Sequence, residues 1–126
     1  MKIEELSIGD FLFFTDGDCA VRVEEIYNDA QLLISDGDSI SEPVHLTHLH
    51  PIPLTPEILE KNGYKVCSVR RQFEDRIWDS VAIRKYHTED YYHLFIYGLR
   101  IGIKLCDVHQ LQHALRLAGI EKEIEV

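Results

Sequence analysis

The chain has 126 residues, 45% of them apolar, and a formal charge of −9 from 22 acids and 13 bases. That length bounds the molecule to one ordinary domain or two small lobes sharing a core. The absence of any long polar or low-complexity tract excludes a disordered chain. The acidic balance repels phosphate backbones, disfavours sequence-independent nucleic-acid binding and suits a basic partner.

Cys19, Cys67 and Cys106 lie far apart and form no CxxC pair. That spacing predicts free thiols used as small apolar residues in a reducing cytosol. The opening MKIEELSIGDFLFF lacks the basic, apolar and small-residue order of a secretory leader. No run approaches the roughly 20 apolar residues of a membrane helix. A cytoplasmic protein without a membrane span is expected.

In chain order, DFLFF, AVRVEEIY, AQLLIS and EPVHLTHL are short apolar or alternating runs. They are separated by TDGDC, YND and SDGDSIS, whose Gly, Asp, Asn and Ser suit turns. Such strands predict a small SH3-like β-barrel over residues 1–54. The stretch PIPLTPEILEKNGY then predicts a short helix. Thr55 serves as cap, Pro56 takes the first helical position, and Leu54 and Leu59 have hydrophobic-staple spacing; Gly63 is the stop.

Strand-like runs return in YKVCSVRRQF, IWDSVAIRKY, YYHLFIY and LRIGIKL, with EDR and HTED as charged loops and Gly98 at a turn. A last helix spans Val108 to Ala118. Asp107 and Gln110 form a capping box, Cys106 and Leu111 have staple spacing, and Gly119 is the stop. KEIEV is expected as a closing edge strand. Residues 55–126 are therefore expected to form an antiparallel sheet with one packed C-terminal helix, and the whole chain is α+β.

HQLQH differs from the zinc-peptidase HExxH by one residue. His109 and His113, one helical turn apart, can share a metal. Gln110 stands where the general base would be, and an amide cannot take a proton. The helical projection puts Val108, Leu111, Ala114, Leu115 and Ala118 on the core face and both histidines on a solvated one. In HLTHLH an extended strand would set His48 and His50 on one face, away from His45, as a second metal-binding pair. Asp16, Asp18 and the Asp36–Asp38 DGD resemble calcium ligands but lack the remaining EF-hand positions, and are read as turns. No GxSxG, P-loop or GxGxxG word occurs. Tyr86, Tyr91, Tyr92, Phe95 and Tyr97 have the aromatic character of a base-stacking sheet, with Arg70, Arg71, Arg84 and Lys85 as the nearby positive charge.

Three words carry a resemblance: Ile8-Gly9-Asp10 in the opening strand, Pro51 to Tyr64, and Val108, His109, Leu111 and Gln112 in the last helix. They resemble a family of short proteins of Bacteroides-type gut bacteria associated with prophage and mobile elements. The resemblance implies an accessory protein and brings no catalytic residue or cofactor with it.

The expected function is a non-enzymatic binding module with a protein partner. The alternatives are a nucleic-acid-associated accessory protein using Arg70, Arg71, Arg84 and Lys85, and a metal-binding protein using His109 and His113. No cofactor is expected.

Overall fold

The structure, a computed structural model, describes residues 1–14 and 19–126. The expected Asp16 and Asp18 turn lies outside the described residues. The chain is α+β and divides into two compact units, residues 1–52 and 53–126. Each unit carries one five-stranded antiparallel sheet.

The first unit is built from β1 (Phe11–Phe14), β2 (Cys19–Ile26), β3 (Gln31–Ser35), β4 (Val44–His45) and β5 (Leu49–Pro51), in the order β4-β3-β2-β1-β5. Leu6, Leu12, Val21, Val23, Leu32, Ile34 and Leu49 form its buried cluster, with Ile3, Phe14, Val44 and Leu46 packed against it. The alternation expected of AVRVEEI holds over Val21–Val23, while Ala20 and Ile26 are exposed. Val21 and Val23 point inward while Arg22 is exposed, and the β2–β3 register slips between Val23 and Glu25. A bulge there bends the strand and increases its twist.

EPVHLTHL is not one strand. A 3-10 turn over Leu46–His48 interrupts it, and the His45 ring accepts the Thr47 amide at 3.2 Å to cap that turn. His48 sits in the turn and His50 in β5, so they do not form the extended HxH pair that the spacing suggested.

The second unit starts with α1 (Pro56–Lys61). Thr55 Oγ1 accepts the Ile58 amide at 3.2 Å, and Leu54 and Leu59 are both buried. Gly63 at φ +86 ends the helix, with Tyr64 N donating to Leu59 O at 2.9 Å. That left-handed turn is the ordinary use of a glycine after a helix.

Five strands follow: β6 (Lys65–Val69), β7 (Phe73–Trp78), β8 (Val81–Tyr86), β9 (Tyr92–Ile96) and β10 (Leu99–Leu105), each paired with the next. EDR is not a loop. Glu74, Asp75 and Arg76 lie inside β7 because their charges are matched across and beyond the sheet. Asp75 binds Arg84 on β8, and Arg76 binds Glu60 and Glu74, each at 3.2 Å. Such cross-strand pairing stabilises a charged strand. The turns before and after β7 fall at residues 70–72 and at Asp79–Ser80, while the HTED loop and the turn at Gly98 lie where the sequence put them; Asp79, Tyr97 and Gly98 have positive φ.

Val81, Ile83, Tyr92, Leu94, Ile96 and Leu105 are buried on one side of the sheet pleat. α2 (Val108–Leu117) begins with a reciprocal capping box between Asp107 and Gln110. It ends at Gly119, φ +75, with Ile120 N donating to Leu115 O at 2.8 Å. Cys106 is exposed, as are Cys19 and Cys67, so the thiols are not the interior apolar groups their spacing suggested.

KEIEV forms no strand. Gln112 Nε2 donates to Lys122 O at 2.9 Å, and Gln112 Oε1 accepts from Ile124 N at 2.7 Å. Asn62 Nδ2 donates to Glu125 O and Asn62 Oδ1 accepts from Glu125 N, both at 2.7 Å. Two side-chain amides thus stand in for a neighbouring strand. Ile124 is fully buried between these anchors, and burying such a side chain contributes about 2 kcal/mol. Among the described residues, no helix is long and apolar enough to cross a membrane.

Candidate functional site

The face of the second sheet opposite its buried side carries the chemistry. Register places Phe73 beside Tyr86, Asp75 beside Arg84, Arg84 beside His93, Ala82 beside Phe95, and Phe95 beside Arg100. Directly paired residues share a face, so the pleat gathers aromatic and cationic groups from four strands on one surface.

Arg84 is its centre. The guanidinium lies 3.9 Å from the Phe73 ring centroid and 5.1 Å from that of Phe95. Its edge is closed by Asp75, through Nε to Oδ1 at 2.7 Å and Nη2 to Oδ2 at 3.0 Å. A bidentate carboxylate and two π faces are the partners to which a planar guanidinium is best matched. The Asp75 hydrogen bonds hold the Arg84 pKa above its ordinary value.

Beside it, Tyr86, Thr88, Glu89, His93, Phe95 and Arg100 line an open cleft of about 340 Å³. His93 is buried and lies edge-on to Tyr86, with 5.1 Å between ring centroids. Its Nε2 is 2.7 Å from Glu89 Oε1, and its Nδ1 is 3.2 Å from Arg100 Nη2. Arginine can only donate, so Nδ1 accepts and the Nε2 hydrogen goes to Glu89. The Glu89 contact is thus a hydrogen bond within a relay that runs through His93 to Arg100. Tyr91 Oη donates to the other oxygen of Glu89.

These contacts hold the Glu89 carboxyl below the ordinary carboxylate range, the Tyr91 hydroxyl first and His93 second. Replacing Tyr91 with Phe should move the Glu89 titration midpoint upward. NMR of the side-chain carboxyl checks this, and an unmoved midpoint would remove Tyr91 from the relay. Since the folded pKa is the depressed one, the relay stabilises the fold above the unfolded carboxylate pKa. That contribution is lost as pH falls through the folded value.

Both ring nitrogens of His93 are engaged, one by Glu89 and the other by Arg100. The cluster's sequence signal is Glu89, Tyr91 and His93 at alternate positions, with Arg100 returned beside them by the β9–β10 hairpin. Of these four, the sequence singled out Tyr91 alone, by its aromatic type.

The residues suggested by the sequence are scattered. Arg70 and Arg71 are exposed in the β6–β7 turn, and Arg84 is in the aromatic sandwich. Lys85 alternates to the other face, where its ammonium donates to the carbonyls of Tyr86 and Glu89. His109 is buried, contrary to the solvated face that the helical projection gave it, and so is Gln112. The His109 and His113 rings meet edge to face at 5.8 Å. His48 faces the Phe14 ring at 6.5 Å, and His50 pairs with Phe13 across β5 and β1. Asp36 Oδ1 accepts from the amides of Asp38 and Ser39, a turn built on the carboxylate, and those bonds lower its pKa. Among the described residues, no three His, Cys, Asp or Glu side chains are grouped to hold a metal ion.

No protein-family model, no curated protein and no solved structure matches the chain.

Proposed function

We propose that the chain is a non-enzymatic binding module that engages a protein partner through the Phe73, Arg84, Phe95 and Tyr97 face of its second sheet. The observation that carries this reading is the Arg84 sandwich. Aromatic and arginine side chains held in fixed positions lose little entropy on binding and dominate recognition surfaces. Because Asp75 already neutralises Arg84, this face suits an apolar-polar protein surface better than a phosphate chain.

Tyr97 adds to the argument. It is 74% exposed and held at φ +52 in a two-residue hairpin turn, a conformation that disfavours a bulky side chain. Strain of this kind persists where the side chain has a use. Tyr97→Asn, which tolerates that backbone, should stabilise the fold by about 0.5–1 kcal/mol. The same change, like Phe95→Asp, should release a partner that the wild-type chain retains in pull-downs. Full retention by both variants, or no partner retained by the wild type, would sink the proposal.

A nucleic-acid role is the second reading, favoured by half-exposed aromatics on an open antiparallel face with Arg70 and Arg71 at its end. It requires a mobility shift at low salt that fades steeply as salt rises. In the first unit, the order β4-β3-β2-β1-β5 and the 3-10 turn entering β5 support an SH3-like barrel reading. An accessory role in a phage or mobile element, in the cytoplasm, rests on the resemblance of residues 51–64 and 108–112 and on composition.

A further inference from the structure

We infer that the seat between Asn62 on the end of α1 and Gln112 on α2 is a peptide-binding groove, which the 120–126 segment occupies in cis. Its ligand class is an extended peptide from a partner protein with a branched aliphatic residue preceded by an acidic one. This inference is independent of the sheet-face reading above.

The groove reads an extended backbone. Asn62 takes both the N–H and the C=O of Glu125, and Gln112 takes the C=O of Lys122 and the N–H of Ile124. These are the pairings that a neighbouring strand makes with an added one, here supplied by side chains. Between the two amides the groove takes one aliphatic side chain, Ile124, which is 1% exposed. The acid before it meets positive charge, with Arg116 3.7 Å from Glu123, and Lys61 Nζ donates to Val126 O at 2.8 Å. Lys122 lies over the Trp78 ring at 4.2 Å.

The seat is built on two helices that have anchors of their own. Asn62 also donates to Ile58 O at 2.7 Å within its own helix, and Gln112 projects from a helix capped at both ends. The segment has no helix or strand of its own and leaves α2 at Gly119, whose φ of +75 makes a turn. A segment held by its neighbours' side chains can leave while the seat stays built, and a peptide of the same chemistry can then enter. The cis segment has the advantage of high effective concentration, so it acts as a resident competitor.

The test uses the full chain and a fluorescent synthetic peptide of residues 120–126, followed by anisotropy. Ile124→Asp disfavours the cis segment, and this variant should bind the peptide at least tenfold more tightly than the wild type does. Adding Asn62→Ala or Gln112→Ala should abolish the gain, and a peptide carrying Asp in place of Ile124 should not bind. Glu125→Pro, which removes the N–H donated to Asn62 while keeping the buried isoleucine, is the second variant and should show the same gain. Folded Ile124→Asp and Glu125→Pro chains that bind no better than wild type overturn the inference. Unfolding of both variants also overturns it, since a segment that cannot leave a folded chain cannot be exchanged. Concentration-dependent dimerisation of the wild type that Asn62→Ala abolishes would assign the groove to a second copy and overturn the partner assignment.

Discussion

Replacing Asp10 with alanine is expected to lower the unfolding free energy by about 2–3 kcal/mol, the scale of a hydrogen bond to a buried charged group. Asp10 is fully buried, and its Oδ2 accepts the Ser7 amide at 2.7 Å. Its backbone closes the same turn, with Asp10 N donating to Ser7 O at 3.1 Å. The turn then clips onto β2. Gly9 N donates to Val23 O at 2.7 Å, and Val23 N to Asp10 O at 2.8 Å. Gly9 is at φ +93, so the clip needs both a glycine and a carboxylate. Alanine leaves the Ser7 amide without this acceptor and opens a gap where the carboxylate was. Asparagine keeps an acceptor oxygen and should lose about half as much. Urea unfolding of the two variants measures this, and a loss under about 0.5 kcal/mol for Asp10→Ala, within the ordinary scatter of surface changes, would show that the carboxylate does not hold the turn.

The features legible in the sequence are those whose causes are local. Thr55 and Asp107 cap their helices, and Gly63 and Gly119 end them, because each interaction closes within a few residues. The first three strands follow from alternation and turn residues in the same way. Misreadings arose where a distant group completes the structure. Glu74-Asp75-Arg76 looks like a loop until Arg84 and Glu60 are placed beside it. KEIEV alternates like a strand, but its partners are the side chains of Asn62 and Gln112. The helical projection gives both histidines a solvated face, yet His109 is buried, and the 120–126 segment gives the Gln112 amide a buried use. His45 caps a 3-10 turn with a ring nitrogen, a role outside the usual Ser, Thr, Asp and Asn set. The candidate site was half legible. The aromatics and Arg84 stood out by type, whereas the pairing of His93 with Arg100 depends on a hairpin register.

Tyr64→Phe should raise stability by about 1–2 kcal/mol, because the wild-type hydroxyl is buried without a hydrogen-bond partner among the described residues. Tyr64 is 0% exposed and packs on Trp78, with ring centroids 6.1 Å apart at 57°. Phenylalanine keeps that contact and removes only the oxygen, so the change deletes a desolvation cost and leaves the packing. Tyr64→Ala removes the ring as well and should cost about 3–5 kcal/mol, which separates the role of the ring from that of the hydroxyl. Burial pushes the Tyr64 phenol well above the ordinary tyrosine value of 10.0. The folded state therefore keeps its proton where the unfolded state has lost it. The resulting stability is intact below pH 10 and falls as pH rises above it, so the wild type should lose stability in alkali faster than Tyr64→Phe. Thermal unfolding at neutral pH and in alkali measures both effects. A phenylalanine variant less stable than wild type at neutral pH would show that the hydroxyl has a partner, such as an ordered water. An unchanged alkaline slope would show that the phenol ionises in the folded state as readily as in the unfolded one. The backbone narrows the repair: Gly63, just before Tyr64, has the Trp78 ring 3.2 Å from where a Cβ would stand. A side chain at Gly63 would therefore disturb the turn that positions Tyr64, whereas Tyr64→Phe leaves that turn as it is.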